Sequence, residues 1–120
     1  MLIITNNPRV KEVYSSKTQL YEKEEYVDIL IRVRDLVHAG YIILTHPLYG
    51  SVKPYETPFR TVVLQEGSKL DMNSLALIEE AIATATKFKR DANSKQWTSS
   101  VIEDFQVIDL DLIGTAIERI

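Results

Sequence analysis

Two β-branched runs constrain this chain more than any other feature. "MLIIT" at 1–5 and "YIILT" at 41–45 are short and almost wholly apolar, and an amphipathic stretch separates them. Runs of that length and branching read as strands buried on both faces, which occur where helices cover both sides of a sheet. In the stretch 24–37, Ile29, Leu30, Val33, Leu36 and Val37 recur at three- and four-residue spacing while Asp28, Arg32 and Arg34 point elsewhere. That period predicts a helix. Glu24 and Glu25 in its first turn, His38 at its last and Gly40 as a left-handed cap all agree with the helix dipole and C-terminal capping.

The remaining segments extend the alternation. Asn7 can accept from the free amides of a first helical turn, and Pro8 has its φ preset at a position where its missing N–H costs nothing, so a helix is predicted from "NNPRVKEVY". "KTQLYEK" reads as a short peripheral strand and "RTVVLQE" as another strand, closed by the turn-forming "EGSK". Asp71 opens a long helix with Leu75, Ile78, Ala81, Ile82, Ala85 and Phe88 on one stripe and Lys87, Lys89 and Arg90 at its basic end. "RDANSKQW" is polar and turn-rich, with Trp97 re-anchoring the chain. In the tail, Val101, Phe105, Ile108, Leu112 and Ala116 keep a helical period although "FQVIDLDL" also alternates as an edge strand does; two helical pieces broken near Val107–Asp109 are expected.

The order β-α-β-α-β-β-α-α predicts one layered α/β domain over 1–120, with a small, mostly parallel sheet of about four strands, Rossmann-like order and a helical C-terminal region. Right-handed crossovers would set the first and third strands side by side. "TNNP" and "THPLYGSVKP" would then face one crevice beyond the carboxyl ends of those strands.

Composition removes several functions. The 14 basic and 17 acidic residues give a net charge of −3, which supplies no overall pull toward nucleic acid or anionic membrane. Cysteine is absent, so thiol exchange, thioester chemistry, iron–sulfur ligation and thiolate zinc sites lie outside this polypeptide's own repertoire. No cofactor is expected. The first residues lack a basic n-region and a long apolar run, so the expected location is the cytoplasm. Oligomeric state has no signature in the sequence.

The segment "LTHPLYGSVKPYETPFR" at 44–60 concentrates the residues able to hold a ligand. Pro47, Pro54 and Pro58 stiffen it, and a rigid connection longer than the usual two to six residues is commonly a binding element. Asn6 and Asn7 at one strand end, with His46, Ser51, Lys53 and Arg60 opposite, could furnish donors to a small anion, and Tyr49 and Tyr55 could add ring faces. The structural alternative is that Asn7 caps a helix, Pro47 ends a strand and the tyrosines fold onto the core. "GSVK" is not a phosphate loop, because the first glycine of that motif is missing and a strand-like run follows.

His46 is the candidate acid or base, weighed against a hydrogen-bonding strut, because no Ser, Cys or carboxylate stands beside it in sequence. Two histidines without ligand spacing predict no metal site. Glu103, Asp104, Asp109 and Asp111 read as a solvated face or as caps, with Asp109 the N-cap of the last helical piece. An enzyme is the less favoured reading. Its form would be a small non-redox catalyst acting on a carboxylate or phosphate with His46 as acid or base.

"IITNNPRVKE", "VRDLVHAGYIILTHPLYGSVKPYETPF" and "EDFQVIDLDLI" together resemble the GrdX family, small proteins encoded with the glycine reductase operon of amino-acid-fermenting anaerobes. The resemblance implies an accessory role around a selenium-dependent reductase that converts glycine, sarcosine or betaine to acetyl phosphate and an amine. It carries over no catalytic residue. Lacking cysteine, the chain itself cannot perform the thiol or selenol steps, so regulation, assembly or ligand sensing is expected, with a reductase component or a small anion as partner.

Overall fold

The computed structural model describes residues 1–49, 57–91 and 97–120. The elements are β1 (Leu2–Thr5), α1 (Pro8–Val13), a 3₁₀ turn (Ser15–Lys17), β2 (Thr18–Leu20), α2 (Tyr26–His38), β3 (Ile42–Ile43), β4 (Thr61–Gln65), α3 (Met72–Asp91) and α4 (Ser99–Glu118). Their order is the one the sequence predicts.

The sheet departs from the mostly parallel, Rossmann-like expectation. Its order is β2-β1-β4-β3, with β1 parallel to β2 and antiparallel to β4, and β3 antiparallel to β4. The first and third strands are therefore not neighbours. β4 returns between them, pairing Thr61 with Thr5 where β1 ends and Ile43 with Leu64 on its other side. A βα alternation favours parallel neighbours, but among the described residues no helix lies between β3 and β4, and strands that follow one another without a crossover helix pair antiparallel. The sheet is mixed.

Helices cover both faces, as the two runs of branched residues require. Ile4, Val62 and Leu64 pack with α2 and α3 residues such as Leu30, Val33 and Ile78, while Ile3 and Val63 pack with Val10 of α1 and Ile113 of α4. Each of these side chains is essentially removed from solvent; burying one stabilises the fold by about 1.5–3 kcal/mol before entropy is counted. Of "YIILT" only Ile42 and Ile43 form regular ladder, because Leu44 and Thr45 both approach the Val63 carbonyl and the Thr45 hydroxyl accepts from the Val63 amide. The carboxyl ends of β1 and β3 lie at the same end of the sheet, on either side of β4.

Local signals behave as their chemistry dictates. The Asn7 side chain caps α1 by accepting from the Arg9 amide, with Pro8 at the first helical position. Asp71 accepts from the Ser74 amide at the start of α3. Gly40 takes φ 105° after α2, and a Cβ on Gly67 would stand 2.5 Å from the Gly40 carbonyl oxygen, so the turns into β3 and out of β4 meet backbone to backbone.

The expected break near Val107–Asp109 does not occur, and α4 is continuous from Ser99 to Glu118. Asp109 is therefore no cap. It lies mid-helix, and the buried face runs through Asp109 and Ile113, whereas Val101, Ile108 and Leu112 of the expected core stripe are exposed.

Candidate functional site

The carboxyl end of β1, the start of β4 and the middle of α4 bring buried polar side chains together at one end of the sheet. Thr5, Asn6, Asn7, Arg60, Thr61 and Asp109 are all at most 5% exposed. Buried polar groups of this kind persist only when their hydrogen bonds are made.

Asp109 is the acceptor at the centre. Its Oδ2 receives the Asn7 side-chain amide at 3.0 Å and the Thr61 hydroxyl at 2.7 Å, and its Oδ1 receives the Tyr49 hydroxyl at 2.5 Å. Thr61 has one hydroxyl hydrogen, which goes to Asp109, and the one hydroxyl hydrogen of Thr5 is shared between the Arg60 carbonyl at 3.1 Å and the Thr61 oxygen at 2.7 Å.

Arg60 supplies the opposing charge. Its Nη2 lies 3.9 Å from Asp109 Oδ1 and donates to the Tyr49 carbonyl at 3.2 Å, and its Nη1 donates to the Tyr26 hydroxyl at 2.8 Å. The guanidinium stands 4.0 Å from the centroid of the Tyr49 ring and 5.1 Å from that of Tyr26, within the range where a ring face stabilises a cation. A buried ion pair holds only when further hydrogen bonds offset the loss of water, and these two residues have them. Arg60 Nε alone has no partner among the described residues.

The tyrosines titrate accordingly. Burial pushes the Tyr49 hydroxyl far above the usual range for a phenol, and the negative charge of Asp109 pushes it further. Burial likewise raises Tyr26, although Arg60 pulls the other way. For Arg60, burial disfavours the charged form but Tyr49, Tyr26 and Asp109 outweigh it, leaving the guanidinium more firmly protonated than usual.

Asn6 organises the backbone around this pair. Its side-chain amide donates to the carbonyls of Glu24 and Pro58 at 3.0 and 2.9 Å, and its oxygen accepts from the Arg60 amide at 2.8 Å. The two stems of the segment 50–56 are thereby fixed to the same place: Tyr49 on one side by Asp109 and Arg60, Pro58 and Arg60 on the other by Asn6.

Of the residues singled out as ligand donors, the structure brings together Asn6, Asn7, Tyr49 and Arg60, and their polar side chains bond to the protein itself. His46 lies apart on an exposed turn, where its Nδ1 accepts from the Leu48 amide at 3.0 Å. Ser51, Lys53 and Tyr55 lie outside the described residues. Among the described residues no three His, Asp or Glu side chains converge as metal ligands would, and no helix is long and apolar enough to cross a membrane.

Asp109 and Tyr26 were not foreseen in this cluster. The signal for Asp109 was its place on the helical stripe shared by Ile102, Gln106, Ile113 and Ile117, where a carboxylate among inward positions demands partners.

The family model for GrdX-like proteins matches residues 2–118. The chain belongs to the GrdX-like protein family. The match takes in every residue of the Arg60–Asp109 cluster and both stems of the 50–56 segment. No curated protein and no solved structure matches the chain.

Proposed function

We propose that this GrdX-like protein is a cytoplasmic accessory module of the glycine, sarcosine and betaine reductase system, acting by binding and not by catalysis. Its binding face is the strand-end surface that carries residues 46–60, and its partner is a protein component of that system or a small anion such as acetyl phosphate.

The observation that carries this reading is the clamp on the two stems of that segment. Asn6, Tyr49 and Arg60 direct their hydrogen bonds to the protein's own backbone, to Asp109 and to the Tyr26 hydroxyl, a use suited to holding a surface in place. Fixing the stems beforehand lowers the ordering entropy lost when a partner binds. His46, with one ring nitrogen engaged in its own turn, serves the same end.

The test is a binding assay of the purified protein against purified reductase components, beside a thermal-shift series with phosphate, acetyl phosphate, glycine and betaine. Both are repeated with Lys53→Ala. A small ligand at a hundred times its dissociation constant stabilises the fold by about 2.7 kcal/mol. The expected result is either association with a component or stabilisation by an anion, weakened in the variant. Absence of both overturns the proposal.

A further inference from the structure

The outward side of α4 is patterned as one half of a coiled coil. Val101, Phe105, Ile108 and Leu112 follow one another at spacings of four, three and four residues, the d-a-d-a sequence of a heptad seam. Val101, Ile108 and Leu112 are 37%, 53% and 38% exposed. A helix with one apolar face packed inward and a second in water is half covered.

Charge says what covers it. In the heptad frame the g positions are Asp104 and Asp111, both exposed, and residues 99–118 contain no lysine or arginine. The e positions, Ile102 and Asp109, are turned toward the protein, Asp109 being buried. In an antiparallel pair of two copies the g positions would face each other, setting Asp104 against Asp111 of the second copy; a parallel pair needs the e positions, which the fold already occupies. A second copy therefore fits poorly.

We propose that α4 docks an amphipathic helix of another protein, with an apolar a/d seam and lysine or arginine at the flanking positions. None of the four seam residues is among those that carry the strand-end face, so either reading can fail without the other.

Trp97, the chain's one tryptophan, reports on the seam, its ring packing edge-to-face on Phe105 at 6.0 Å. The probe is a three-heptad synthetic helix with leucine at a and d, lysine at e and g and no aromatic residue, titrated into the full chain at low salt while Trp97 fluorescence is followed. A second peptide carries glutamate in place of each lysine. The lysine peptide is expected to give a saturable change and the glutamate peptide none. Ile108→Ser weakens binding by about tenfold or more, as loss of a central anchor does. The double variant Asp104→Lys/Asp111→Lys exchanges the preference and binds the glutamate peptide. Sedimentation of the free protein accompanies the titration. Equal binding of both peptides, no binding of the lysine peptide, or a stable dimer dispersed by Ile108→Ser overturns the proposal.

Discussion

The Tyr49 hydroxyl donates to Oδ1 of Asp109 at 2.5 Å while the Tyr49 carbonyl accepts from Arg60. One residue thus bridges both members of a buried ion pair and fixes the chain where it leaves the sheet. Tyr49→Phe keeps the ring over the guanidinium and removes only the hydroxyl, so it is expected to destabilise the fold by about 1–3 kcal/mol, the cost of a buried acceptor losing its donor. Urea unfolding of the two proteins measures it.

Removing the carboxylate should cost more than removing the pair. Asp109→Leu leaves Arg60 charged and uncompensated, and is expected to cost about 3–5 kcal/mol. Adding Arg60→Met to that variant is expected to restore part of the loss. A double-mutant cycle at equilibrium gives the coupling, and simple additivity would deny that the two residues act as a unit.

Stability is expected to fall in alkali. The folded-state pKa of Tyr49 and of Tyr26 lies above that of a free phenol, so their contribution is complete below the unfolded value near pH 10 and is lost as pH rises toward the folded values. In that window the unfolded chain releases protons that the native chain keeps, and each such tyrosine lowers stability by up to about 1.4 kcal/mol per pH unit. Thermal unfolding between pH 8 and pH 11, compared with Tyr49→Phe, should show a shallower decline in the variant.

Gly67→Ala drives a methyl group against the Gly40 carbonyl oxygen. The methyl is fixed to its own backbone and the atom it meets at 2.5 Å is backbone, so relief requires the turns around β3 and β4 to separate, and a loss of about 1–3 kcal/mol is expected, typical of overpacking. Differential scanning calorimetry reads it directly. An unchanged midpoint would mean that the two turns can move apart freely.

His46→Ala discriminates a turn strut from an acid or base. The imidazole is exposed and holds one amide of its own turn, so the variant should unfold within about 1 kcal/mol of the parent and should bind the same partners. A specific loss of turnover with the fold intact would instead support the enzymatic reading.

Much of this architecture was legible because it rests on local chemistry. Asn7 and Pro8 start a helix, Gly40 ends one, and the first branched run became a strand covered on both faces, while the second gave only a half-buried, two-residue edge strand. Strand pairing is a property of how distant segments meet, and nothing within "RTVVLQE" says that it runs between β1 and β3. α4 was misread because Asp109 and Asp111 give "VIDLDL" both periods at once, and the side facing the sheet is decided by partners far along the chain. Asn6, Asn7, Tyr49 and Arg60 were recognisable as a polar group at one end of the sheet, but whether such groups face a ligand or one another depends on a carboxylate that approaches from another element.

That approach sets an order of assembly. Asp109 reaches Thr61 across 48 residues and Asn7 across 102, and it belongs to α4, which follows all four strands in the chain. Before α4 arrives, Arg60 must either stay hydrated or enter the interior without Asp109 opposite it, and contacts of such sequence separation form late because long loops must close first. The strand ends can close only when α4 delivers its carboxylate. The Arg60–Asp109 pair thus makes the finished face conditional on docked α4: a chain whose α4 has come away loses the anchor of Tyr49 along with the partner of Arg60.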